Sequence, residues 1–277
     1  MRRRFNVTGV CNPQKHYMVR LDDRLKKIRA DYVEEGSYFV INRGRQYGKT
    51  TTLAALERYL KDDYLVLSVD FQEIETAKFA DAVLFSQAFA KKLSRAFRFA
   101  EAEDKDKLLE LLQDFMKESS NNGLSELFDC LSILCERSLR PIVLMIDEVD
   151  SASNNQVFID FLAQLRGYYL KRDRIPIFHS VILAGVYNIK NLKLKLRPES
   201  EYHYNSPWNI AAPFEIEMHF CVEQIASMLE EYETDQHTEM NRNAVAEEIY
   251  QYTSGYPVLV SSICKQLDEK IFGTEGF

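Results

Sequence analysis

The stretch Asn42-Arg43-Gly44-Arg45-Gln46-Tyr47-Gly48-Lys49-Thr50-Thr51 decides how the rest of the chain is read. Ahead of it, Ser37-Tyr38-Phe39-Val40-Ile41-Asn42 is a short apolar, β-rich run bounded by Gly36 and Gly44, which predicts a buried strand. Behind it, residues from 49 to 59 or beyond put Leu53, Leu56 and Leu60 on one face of a helix. A strand, a glycine turn and a helix start are what a phosphate-binding loop requires. The N–H groups of the first helical turn face the anion, and the helix dipole favours negative charge there. In such a loop Lys49 reaches the β- and γ-phosphates and the Thr50 hydroxyl binds Mg2+. The usual G-x-x-x-x-G-K-[ST] spacing asks for glycine at position 43, where this chain has Arg43 and places Gly44 one residue later. On this stretch alone, a chance Gly-Lys-Thr at a helix start stays open.

A second element narrows the choice. About a hundred residues downstream, Ile142-Val143-Leu144-Met145-Ile146-Asp147-Glu148 is an apolar strand ending in two acids. Asp147 is placed to hold Mg2+, directly or through water, and Glu148 to polarise an attacking water. Two acids ending a strand and capping the next helix would be unremarkable; both elements in this order are much less so, and they point to ATP or GTP. A third element, Ile182-Leu183-Ala184-Gly185-Val186-Tyr187-Asn188, ends an apolar run with polar residues. Tyr187 or Asn188 is a candidate γ-phosphate sensor, and a plain strand-to-loop turn is the other reading. ATP is preferred over GTP because the only comparable stretch, Asn188-Ile189-Lys190-Asn191, lacks the acid that reads guanine.

Outward from these motifs, strands are expected at 64–71, 141–147 and 178–184, with 214–218 (FEIEM) a candidate fifth. Helices are expected at 24–35, 78–99, 105–117, 124–137 and 156–170. The stripe Phe85, Phe89, Leu93 and Phe97 is read as packing. Apolar strands alternating with helices indicate an α/β fold with a parallel sheet covered on both faces, a three-layer arrangement; with the loop at 42–51 it resembles the RecA/AAA-like fold of P-loop NTPases. From about Val222 the pattern becomes three helices, the last starting at Pro257, where proline suits a first turn. The expected organisation is an N-terminal segment (1–36) packing on a core (37–220), followed by a small helical lid domain (221–277).

The 277 residues are 46% hydrophobic and 28% charged, the composition of an ordinary folded chain. A net charge of −7 supplies no global field for nucleic acid or an anionic membrane. The run Arg2-Arg3-Arg4 is read as a solvated terminus, with no apolar stretch after it to make a secretory leader. No apolar run approaches the roughly 20 residues of a spanning helix. Five scattered cysteines without a C-x-x-C favour reduced, mostly buried thiols and a cytoplasmic location.

The loop from Arg43 to Thr50 resembles the R-P-R-x-[FY]-G-K-[ST] loop of the bacterial AAA-ATPase-like group, which is similar to the archaeal-type and STAND ATPases. Arg43 in place of glycine is part of that resemblance; Gly44, where the group usually has proline, departs from it. The match extends to Asp147-Glu148 and to Thr253-Ser254-Gly255-Tyr256-Pro257, which looks like the G-x-P turn of the helical lid in those relatives. The resemblance implies that Pro257, and with it Tyr256, lies against the nucleotide base and reports its state to the lid. A helix-start proline after a turn glycine is the plainer reading. Ser206-Pro207-Trp208-Asn209 is also similar, without a chemical role. Many members carry an effector domain after the lid, and whether one belongs with this chain is left open. Arg172, Arg174 and Arg197 are all candidates for an arginine finger.

Together these point to Mg-dependent ATP hydrolysis, with Arg43, Gly44, Arg45, Gln46, Tyr47, Gly48, Lys49, Thr50, Thr51 and Pro257 on the nucleotide, Thr50 and Asp147 on Mg2+, and Glu148 and Lys49 catalytic. The rival is an ATP-regulated switch or interaction module with little turnover. A macromolecular partner is unidentified, and a homo-oligomer is open.

Overall fold

The computed structural model describes residues 2–117, 122–186 and 208–271. Four strands, β1 (Tyr38–Asn42), β2 (Leu65–Asp70), β3 (Ile142–Asp147) and β4 (Ser180–Gly185), make one sheet in the order β1-β4-β3-β2. All three pairings are parallel. Parallel neighbours require crossovers, and helices supply them. In chain order the helices are α1 (Asp22–Ile28), α2 (Lys49–Leu60), α3 (Ala82–Phe99), α4 (Lys105–Lys117), α5 (Leu124–Arg137), α6 (Gln156–Tyr169), α7 (Val222–Gln236), α8 (Arg242–Thr253) and α9 (Pro257–Ile271), of which α2 to α6 lie between strands.

The chain divides into two compact units. The first, residues 27–42 and 56–214, holds the sheet. Side chains alternate along each strand, so Tyr38, Val40, Leu67, Val69, Leu144, Ile146, Val181 and Leu183 enter one core with α3, α5 and α6. The expected stripe Phe85, Phe89, Leu93 and Phe97 lies in this core, each fully buried. At about 1.5–3 kcal/mol per buried side chain, such residues are a main source of the unit's stability. On the opposite face Phe39 stacks on Phe214 (ring centroids 5.8 Å apart, 6° between planes) and meets Tyr32 at 4.7 Å. Burial on both faces is why the strands read as unbroken apolar runs.

Local chemistry adjusts three of the expected elements. Asp81 accepts hydrogen bonds from the N–H groups of Val83 (2.8 Å) and Leu84 (3.0 Å), which starts α3 there and leaves Thr76–Ala80 as a separate 3-10 turn. The helix expected at 24–35 is α1 followed by a wider π turn, Arg29–Val33. The candidate fifth strand at 214–218 does not form. Its alternation is strand-like, but among the described residues the pairing nearby is an isolated parallel bridge between Phe39 and Ala212.

The second unit comprises Met1–Lys26, Arg43–Ala55 and Glu215–Phe277. Cys221 and Gln224 cap α7 reciprocally, Asn241 caps α8 through the N–H of Ala244 (3.2 Å), and α9 starts at Pro257 as expected. Phe5, Tyr17 and Tyr232 form a ring cluster with centroids 4.9–5.2 Å apart. The N-terminal arginines are not merely solvated. Arg2 pairs with Asp268 at 2.7 Å, and Arg3 pairs with Glu231 (2.8 Å) and Asp235 (2.9 Å). The cysteines are free, though only Cys264 is buried as a whole residue.

Candidate phosphate-binding site

The loop 43–48 follows β1 in the chain and runs into α2. Gln46 and Gly48 have positive φ (62° and 75°), and a Cβ on Gly48 would meet nothing within 4 Å. Alternating backbone hands of this kind turn successive N–H groups toward one concavity. The bond from the Thr52 N–H to the Gly48 carbonyl (2.8 Å) opens the helix, so the N–H groups just ahead have no acceptor within it. Lys49 is buried, and its ammonium donates to the carbonyls of Arg43 (3.1 Å) and Gly44 (2.9 Å), closing the loop around its charge. Thr50 is exposed on the first turn, whereas the Thr51 hydroxyl accepts from the Cys11 N–H at 3.2 Å.

Residues 216–220 and the turn before α9 brace this loop. The Arg43 guanidinium donates to the Ile216 carbonyl at 3.1 Å. The Tyr47 hydroxyl lies 3.2 Å from His219 Nε2, with the two rings edge-to-face at 5.0 Å. Tyr47 also packs on Tyr256 (4.8 Å), whose hydroxyl donates to the Arg45 carbonyl at 2.6 Å. Glu217 Oε1 accepts from the N–H groups of Met218 (2.8 Å) and His219 (3.0 Å) and from His219 Nδ1 (2.7 Å). The His219 donors, chiefly its backbone N–H, hold the Glu217 carboxyl down at about 2. Arg24, almost wholly buried, donates to the Met218 carbonyl (3.1 Å); burial lowers its pKa to about 10. Pro257 is buried at the start of α9.

In the sheet-bearing unit the strands end in a row. Asn42 pairs in register with Gly185, and Asp70 with Asp147, along the C-terminal edge. That edge is where ligands bind in open parallel sheets. Asp147 is buried and takes its own following N–H, that of Glu148, at 2.9 Å. Glu148 sits in the left-handed region (φ 52°) and starts the 3-10 turn Val149–Ala152. A non-glycine residue held there costs about 1 kcal/mol or more, and such strain gathers at functional positions. Asp150 accepts from the Val186 N–H, and a Cβ on Gly185 would meet the Asp150 carboxylate at 3.0 Å. Burial raises the pKa of Asp70, an effect that its bond from the Gln72 N–H opposes and the charge of Asp147 reinforces.

Several groups escaped the sequence reading. Asp70 carried the same signal as Asp147, an acid ending an apolar run. His219 carried no local signal, since its partner Tyr47 lies 172 residues away, and Glu217 takes its place in the site through His219. The sensor candidates Tyr187 and Asn188, and Arg197, lie outside the described residues. Arg172 is tied to the Gly36 carbonyl and covers the Tyr169 ring at 4.3 Å, and Arg174 is exposed.

A nucleotide's phosphates suit the loop's N-terminal amides, its positive φ pair and Lys49. Among the described residues no group of three or more His, Cys, Asp or Glu side chains gathers as a metal site.

Comparison with known proteins agrees with this fold. Cdc6p from Pyrobaculum aerophilum aligns over 97% of this chain and 64% of its own, with a TM-score of 0.55 and 12% identity. The Orc1 protein of Aeropyrum pernix, solved in complex with DNA, aligns over 96% and 62%, with a TM-score of 0.49 and 14% identity. The chain thus spans under two thirds of each, and at 12% identity the likeness to the Pyrobaculum protein is one of fold. No curated protein matches significantly. The family described as the AAA-like domain matches residues 9–275, and the chain belongs to that family.

Proposed function

We propose that this AAA-like chain binds Mg-ATP through the 43–51 loop and hydrolyses it to ADP and phosphate. The observation that carries the reading is the loop itself: positive φ at Gln46 and Gly48, a helix N-terminus behind them, and the buried Lys49 ammonium in its centre. Lys49 and the loop amides would bind and orient the phosphates, which is most of what phosphoryl transfer asks of a protein. Thr50 and Asp147 are the groups assigned to Mg2+, which would neutralise phosphate charge. Glu148 would orient the water and accept its proton. The domain organisation proposed with this reading is a core over 37–220 and a helical lid over 221–277.

The test is phosphate release from Mg-ATP by the purified chain beside Lys49→Ala and Glu148→Gln, at low and high protein concentration. Both substitutions should lower release about 100-fold or more. A specific rate that rises with concentration would identify an arginine supplied by a second copy.

A second reading is favoured by one contact. The Tyr256 hydroxyl on the Arg45 carbonyl links the loop to the turn between α8 and α9, as a nucleotide-reporting switch would need. Lys49-dependent ATP binding with no release at any concentration would decide for the switch. The DNA bound by the Aeropyrum protein is not carried over, because a net charge of −7 offers phosphates no general attraction. Among the described residues no helix is long and apolar enough to cross a membrane, and we place the protein in the cytoplasm.

A further inference from the structure

The imidazole of His219 is fixed on both sides. Glu217, ionised and accepting from Nδ1 at 2.7 Å, puts the ring proton on Nδ1. In the neutral ring Nε2 is then an acceptor, and the Tyr47 hydroxyl, 3.2 Å away, is placed to donate to it. Two neighbours confine the Tyr47 ring, the imidazole at 5.0 Å and Tyr256 at 4.8 Å, and it lies so near the Gly44 backbone that a Cβ there would come within 3.1 Å of it. Tyr47 stands between the two positive-φ residues, Gln46 and Gly48, so the orientation of its peptide groups sets the hand of the loop.

We propose that His219, oriented by Glu217, is a positioning residue that holds the phosphate loop in its nucleotide-binding shape through the Tyr47 hydroxyl. This rests on the ATP-binding reading above. The strap of residues 216–220 that carries His219 is itself anchored, by Arg24 at the Met218 carbonyl, by Arg43 at the Ile216 carbonyl, and by the Phe220 N–H on the Gly255 carbonyl (2.8 Å). Arg43, at the position where the usual loop has glycine, is thereby a tether between loop and strap. A packed strap that served only stability would not need a polar bond aimed at this one ring.

The test is the affinity for Mg-ATP, measured by calorimetry, for the full chain and for Tyr47→Phe, His219→Ala, His219→Asn and His219→Gln. A glutamine amide reaches the Nε2 position and can accept from Tyr47, whereas asparagine reaches only Nδ1. Tyr47→Phe, His219→Ala and His219→Asn should each weaken binding about 10-fold, and His219→Gln should recover to within about 3-fold of the parent. Tyr47→Phe combined with His219→Ala should bind no worse than either alone. Thermal midpoints without nucleotide should stay within about 2 °C of the parent, which separates positioning from folding. Unchanged affinity in Tyr47→Phe, or a His219→Gln variant as weak as His219→Ala, overturns the inference alone. A parent chain without Lys49-dependent binding overturns the ATP reading and this inference with it.

Discussion

A Cβ placed on Gly255 would lie 1.9 Å from the carbonyl oxygen of Phe220, and the Phe220 N–H donates back to the Gly255 carbonyl at 2.8 Å. The turn between α8 and α9 and the strap beside the phosphate loop therefore touch backbone to backbone. Gly255 also has φ +73°, so two independent constraints exclude a side chain. Gly255→Ala should destabilise the chain by about 3 kcal/mol or more. Urea unfolding measures it, and a loss below about 1 kcal/mol would mean that the strap can move away.

Two other glycines make a matched pair. At Gly185 a Cβ meets Val149 Cγ2 at 2.9 Å and the Asp150 carboxylate at 3.0 Å; at Gly167, inside α6, it meets nothing within 4 Å. Gly185→Ala should cost about 1–3 kcal/mol through overpacking. Gly167→Ala should stabilise by about 0.5–1 kcal/mol, because alanine loses less backbone entropy in a helix. Parallel urea titrations that move the same way would contradict this.

Glu148 combines strain with a proposed catalytic role. Asparagine tolerates the left-handed region better than glutamate. Glu148→Asn should therefore raise stability by about 0.5 kcal/mol while lowering phosphate release about 100-fold. Equal or faster release would remove Glu148 from the mechanism, whatever the stability shows.

The pH response of the strap follows from Glu217. Its folded pKa is depressed to about 2 from 4.5, chiefly by the N–H and Nδ1 donors of His219. A depressed carboxyl contributes stability that is fully present above the unfolded pKa and is lost as pH falls through the folded one. The thermal midpoint of the parent should therefore exceed that of Glu217→Gln near neutral pH, and the gap should close between about pH 4.5 and 2. The carboxylate is largely solvent-exposed, so solvent screening keeps the gap small. A gap that holds constant to pH 2 would show that the charge on Glu217 is not what holds the turn.

What the amino-acid sequence determined by itself is whatever short-range chemistry repeats. Runs such as Ile142–Asp147 name their strands because both faces of a parallel sheet exclude polar side chains. The loop before Lys49 is legible because its glycines and helix start are neighbours in the chain. The same short range misleads at 214–218, where FEIEM alternates like a strand yet does not form one; pairing, not pattern, makes a strand. Tertiary structure alone decided that β2 and β3 bring Asp70 into register with Asp147, and that Arg43 and Tyr47 meet Ile216 and His219 more than 170 residues away. Such contacts leave no periodic trace, because a hydrogen bond needs only one donor and one acceptor brought together by the fold.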